Sequence, residues 1–175
     1  MRMTRVAAAA LSALFLLSHA SAAIAADQVV FVVRHAERAD GGAGVAPGGM
    51  MGNDPPLSDA GHERAKRLAA ALRSAEVTQI FTTEYVRARQ TAAPLAAAAK
   101  ITATVVPAKD AAGLIQQVRG ASGNVLIVGH SNTVPQILQQ LGVTTPIAIA
   151  EAEYDNLFAV VRPASGEPTL VRLRF

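Results

Sequence analysis

From Gln28 the chain runs through Val29-Val30-Phe31-Val32-Val33 without a polar break and turns polar at Arg34-His35. A short, continuous, β-branched run of this kind marks a strand buried on both faces, as in a parallel sheet. Val77 to Thr82, Thr102 to Val106 and Asn124 to Val128 read as further strands. Between them the apolar positions change to helical spacing. Ser58 opens a segment through about Ala75 in which Ala60, Ala65, Leu68, Ala69 and Leu72 share a face, with Glu63, Arg64, Lys66, Arg67 and Arg73 mostly on others. Glu84 to Ala99, Asp110 to Arg119, and the stretch from the Gly129 to Thr133 turn to Leu141 read as the remaining helices. Leu157 to Val161 and Leu170 to Phe175, separated by turn chemistry from Pro163 to Pro168, predict a terminal antiparallel pair. The alternation of strand and helix predicts an α/β fold, a mainly parallel sheet with helices on both faces.

Two segments stand outside this pattern. Residues 39–56 hold six Gly and three Pro, which neither helix nor central strand can propagate. Loops this long in a compact domain are functional or disordered. Residues 1–26 carry Arg2 and Arg5, an apolar run from Val6 to Leu17 and the small residues Ala23-Ile24-Ala25. This is the layout of a cleaved secretory signal, and the run is shorter than the roughly 20 residues of a spanning helix. The expectation is one domain over 27–175, periplasmic or secreted, with no stable membrane anchor.

At 175 residues and 51% hydrophobic the chain can bury a single large core without disulfides or a structural metal. It has no Cys, which excludes thiolate catalysis and Cys-ligated zinc or iron–sulfur centres. The formal charge of +3 misleads: without Arg2 and Arg5, 14 of the 16 Lys and Arg remain against 13 Asp and Glu. With no basic run and no zinc-finger spacing, no nucleic-acid partner is expected.

In open α/β sheets ligands bind beyond the carboxyl ends of the strands. The first strand ends in Arg34-His35-Ala36-Glu37-Arg38, the second in Thr82-Thr83-Glu84-Tyr85-Val86-Arg87, and that ending at Val128 in Gly129-His130-Ser131-Asn132. Two histidines and three arginines therefore arrive at one sheet edge. Arginine offers planar, permanently charged forks to phosphate oxygens, and imidazole can attack phosphorus. Singly each would read as a structural residue. Together they read as a phosphoryl site.

The same blocks resemble the histidine phosphatase superfamily, with its phosphoglycerate mutase-like fold. Val33-Arg34-His35-Ala36-Glu37-Arg38 is similar to its Arg-His-Gly signature, and Leu57-Ser58-Asp59-Ala60-Gly61 to its Leu-Ser/Thr-x-x-Gly. Phe81 to Ala92 resembles its Ser-Ser-x-x-x-Arg-Ala-x-Gln-Thr-Ala block, and Val125 to His130 its second-histidine strand. The resemblance implies His35 as a nucleophile forming a phosphohistidine, with Arg34, Arg38, Arg87 and His130 holding the phosphoryl oxygens.

Ala36 stands where the family has Gly, and Ser131-Asn132-Thr133 replaces its Gly-rich continuation. Many relatives take a general acid from a Glu after the Arg-Ala-x-Gln-Thr helix. Between Glu84 and Glu151 this chain has one carboxylate, Asp110, which becomes the candidate acid, with helix capping as the alternative. His62 reads as a surface residue, Arg89, two positions from Arg87, points away from it on a helix and is left out of the site, and Glu37 reads as a partner of other side chains. Glu151, Glu153 and Asp155 could line the site or form a charged turn. The resulting expectation is a phosphohydrolase, monomeric or loosely dimeric, acting on a small phosphorylated substrate and releasing inorganic phosphate. It needs no cofactor and no metal. The alternative is a non-catalytic module binding phosphate or a sugar phosphate.

Overall fold

The computed structural model describes residues 27–41 and 54–175. The signal reading of 1–26 and most of the glycine-rich loop lie outside the described residues. Six strands and four helices follow in order: β1 (Gln28–Arg34), α1 (Asp59–Ala71), β2 (Val77–Thr82), α2 (Val86–Ala99), β3 (Thr104–Val105), α3 (Ala111–Gly120), β4 (Asn124–Gly129), α4 (Thr133–Gln140), β5 (Asn156–Arg162) and β6 (Thr169–Arg174). They form one sheet in the order β3-β2-β4-β1-β5-β6. β1, β2, β3 and β4 pair in parallel, while β5 and β6 are antiparallel.

The unbroken apolar run of β1 is explained by helices on both faces of the sheet. Phe31 and Val33 join a core with Leu68 and Leu72 of the α1 segment and Ala88, Ala92 and Leu95 of α2. Val30 and Val32 face the other way, into Leu114, Ile115 and Val118 of α3 and Val134, Ile137 and Leu138 of α4. Fully burying each valine of this strand contributes about 1.5–3 kcal/mol. Polar residues pin the opposite end of the strand: Gln28 Nε2 donates to the Ala121 and Gly123 carbonyls at 3.1 and 3.0 Å, and Asn124 Oδ1 accepts from Val29 N–H at 2.8 Å.

Three elements differ from the sequence expectation. α1 ends at Ala71, with Leu72 as its C-cap, rather than near Ala75. β3 is two exposed residues at the sheet edge instead of the five from Thr102 to Val106. α2 starts at Val86 rather than Glu84. Its N-cap, Tyr85, offers no capping side chain, and Asp54 supplies the cap from outside, accepting from Val86 N–H at 2.9 and 3.0 Å. No described helix is long and apolar enough to cross a membrane.

Candidate active site

β1 and β4 are parallel neighbours in register, with Arg34 opposite Gly129. His35 and His130 are the next residue of each, so the two imidazoles emerge side by side. Their ring centroids are 5.2 Å apart at 63°, and the Gly129 carbonyl accepts from His35 N–H at 2.9 Å. The motif block on α2 ties the turn after β1 into place. Thr91 Oγ1 accepts from Ala36 N–H at 2.9 Å and Gln90 Oε1 accepts from Leu57 N–H at 2.8 Å. Arg87, one turn earlier on α2, is left facing the cleft.

This cleft, about 450 Å³, is lined by Arg34, His35, Arg38, Arg87 and His130 together with Tyr85, Lys109, Ser131, Asn132 and Glu151. Five of the six site residues expected from sequence are thus brought together. Asp110 is not. It is the N-cap of α3, and its carboxylate accepts from Gly113 N–H at 2.9 Å while facing an apolar pocket with Phe81, Leu114 and Ile137. A short acidic side chain three residues before an orphan helix N–H is taken up by that donor, which is why the capping alternative describes it. Of the described carboxylates, Glu151 lines the cleft.

His35 Nδ1 lies 2.8 Å from the Ala36 carbonyl. A carbonyl can only accept, so Nδ1 carries the proton and Nε2 keeps its lone pair. Burial, opposed by that hydrogen bond and reinforced by the charges of His130, Arg87 and Arg34, brings the His35 pKa down to about 3. Burial and the Arg87 charge bring His130 down to about 4. Both rings are therefore neutral near pH 7, as an attacking imidazole must be. Thr83 Oγ1 holds His130 Nε2 at 2.9 Å.

The arginines are fixed individually. Arg34 Nη1 donates to the carbonyls of Ala150, Glu151 and Glu153 at 3.1, 2.9 and 3.3 Å, and its Nη2 lies 3.5 Å from Glu151 Oε2. Arg38 pairs with Asp40, and Arg87 Nη1 lies 3.3 Å from Asp54 Oδ1. The Nε–H of Arg34, of Arg38 and of Arg87 is buried in each case, with no acceptor among the described residues. Burial and the nearby Arg38 charge pull the Arg87 guanidinium below its ordinary value. The three guanidinium groups line one cleft, and fixed positive charge of this kind attracts an anion with several oxygens.

The remaining sequence readings sort simply. Glu37 takes Arg64 in a fork, Nε at 2.8 and 2.9 Å and Nη2 at 2.6 Å. His62 and Arg89 are exposed. Glu153 and Asp155 form ion pairs with Arg172 and Arg174. Sequence reasoning missed Tyr85, Tyr154 and Lys109. Tyrosine occurs only twice in the chain, and that scarcity was the available signal.

Among curated proteins none matches the sequence. Solved structures share the fold. The protein histidine phosphatase SixA complexed with tungstate is 19% identical with a TM-score of 0.64, over 83% of this chain and 96% of its own. Phosphoglycerate mutase from Bacillus anthracis str. Sterne is 14% identical at 0.65, over 85% and 93%. Mycobacterial glucosyl-3-phosphoglycerate phosphatase is 14% identical at 0.61, over 82% and 97%. Residues 30–110, which carry three of the four motif blocks, match the family model described as histidine phosphatase superfamily (branch 1). Over these residues the chain is similar to the histidine phosphatase superfamily, and the fourth block, at His130, stands beside His35 on the same fold.

Proposed function

We propose that the protein is a phosphohydrolase that transfers a phosphoryl group from a small phosphoester to His35 and then to water. The observation that carries the reading is the set of three arginines, Arg34, Arg38 and Arg87, lining one cleft with a neutral imidazole. In the first step Nε2 of His35 attacks phosphorus and the bond to the leaving oxygen breaks. In the second, water displaces Nε2 and inorganic phosphate leaves. A metaphosphate-like transition state spreads charge over three equatorial oxygens, so fixed cations and positioning supply most of the catalysis.

The leaving oxygen needs a proton. Because Asp110 is engaged at the α3 cap, that role passes to Glu151, the carboxylate at the cleft. Hydrolysis is favoured over mutase transfer by the export signal read in residues 1–26, which would separate the protein from cytoplasmic sugar phosphates. The phosphatases among the similar folds support the same choice.

Purified residues 27–175 should release phosphate from a panel of phosphomonoesters. Acid-quenched protein should lose its label, whereas base-quenched protein should keep it, as expected for phosphohistidine. His35→Ala should abolish labelling and turnover. Turnover at the wild-type rate in His35→Ala would refute the mechanism, and phosphate binding without any release would leave a binding module.

A further inference from the structure

Both tyrosines of the chain, Tyr85 and Tyr154, stand beside the histidine pair. They come from unrelated places: Tyr85 is the N-cap of α2, and Tyr154 lies in the turn before β5. The Arg87 Cζ sits 4.3 Å above the centroid of the Tyr85 ring, which meets His130 at 5.1 Å and 85°. The Arg34 Cζ sits 4.0 Å above the Tyr154 ring, which lies 6.2 Å from His35 at 52°. Each ring thus contacts one cleft arginine and one cleft histidine.

We propose that Tyr85 and Tyr154 are positioning residues, each fixing one arginine on its ring face and screening one histidine from water. A guanidinium over an aromatic face is attracted by the ring quadrupole, most strongly where water is excluded. Arg87 is otherwise held by Asp54 at 3.3 Å, so the Tyr85 ring restricts where its charge can stand. The function belongs to the ring and not to the phenol, since it is the ring face that each guanidinium meets. The kinetic part of the proposal rests on the phosphohydrolase reading, while the histidine part does not.

The charged and polar groups facing His130 are His35, Arg87, Glu84, Arg34, Asp54 and Thr83, and those facing His35 are the Ala36 carbonyl, His130, Arg87 and Arg34. All of them remain when a tyrosine is replaced, so a change in histidine titration reports the loss of the ring and of the arginine placement it fixes. The test compares Phe and Leu at each position, with Met replacing Leu if that variant does not fold. Phosphate release from phenyl phosphate gives kcat and KM, and NMR follows both imidazoles through acid.

Tyr85→Phe and Tyr154→Phe should keep kcat within about twofold. Tyr85→Leu and Tyr154→Leu should each lower kcat by about tenfold, a factor within the cation–π range, with KM less affected. The His130 midpoint should rise toward 6.5 in Tyr85→Leu, and the His35 midpoint should do so in Tyr154→Leu. Wild-type kcat with unmoved titration in the Leu variants overturns the proposal, as does equal damage from Phe and Leu. If the wild type releases no phosphate, the phosphohydrolase reading fails and the titration alone decides on the tyrosines.

Discussion

At the scale of single residues, the proposed chemistry depends on imidazoles kept neutral by burial, and the same burial predicts sensitivity to acid. An unfolded histidine titrates near 6.5, while folding lowers His35 to about 3 and His130 to about 4. Between those values the unfolded chain binds protons that the folded one refuses, so stability falls as pH drops from about 6.5 and is unaffected by these groups above it. The urea midpoint should therefore decline from pH 7 to pH 4.5, and less steeply in His130→Gln. Parallel declines in the two proteins would place the acid sensitivity elsewhere. The two histidines and three arginines were legible in sequence because each follows an apolar strand or opens a helix beside one. Tyr154 was not, because it belongs to a turn between distant elements and meets Arg34 only through the tertiary fold.

At the scale of elements, helix ends decide which polar groups are available for chemistry. Asp110 caps α3, so Asp110→Ala should cost about 1 kcal/mol of stability, whereas Asp110→Asn, an equivalent cap, should change neither stability nor turnover. Glu151→Gln should slow an alkyl phosphate, whose alkoxide needs a proton, by roughly 10²–10⁴-fold. It should hardly affect p-nitrophenyl phosphate, whose leaving group departs unaided. The opposite pattern between Asp110 and Glu151 would return the acid role to α3. Sequence spacing showed α1 to be a helix but not why it starts where it does. Ser58 Oγ accepts from Gly61 N–H at 3.1 Å, and a Cβ on Gly61 would overlap the Glu37 carbonyl oxygen. That close approach joins α1 to the turn between Arg34 and Arg38. The short β3 was over-read because a β-branched pair looks the same at a sheet edge as in its centre.

At the scale of the whole molecule, the first strand of the sheet begins at Gln28, two positions past the segment of residues 1–26. We propose that the protein is exported with removal of that segment. Amino-terminal sequencing from the native host should begin near Ala26 or Asp27, and intact Met1 in a soluble cytoplasmic fraction would refute it. The parallel body and the antiparallel tail were both legible in sequence, but strand order was not, because periodicity identifies strands without naming their neighbours. That order matters most for β1 and β4. Parallel strands lie about 4.8 Å apart, and the two rings, one residue past a register pair, stand at 5.2 Å. The sheet lattice therefore acts as the gauge for the imidazole pair. A substitution at the mouth of the cleft that keeps both strand lengths leaves that gauge undisturbed. One residue gained or lost inside either strand would throw a histidine to the opposite face, so the pairing of the two imidazoles depends on frame and not on the residues around them.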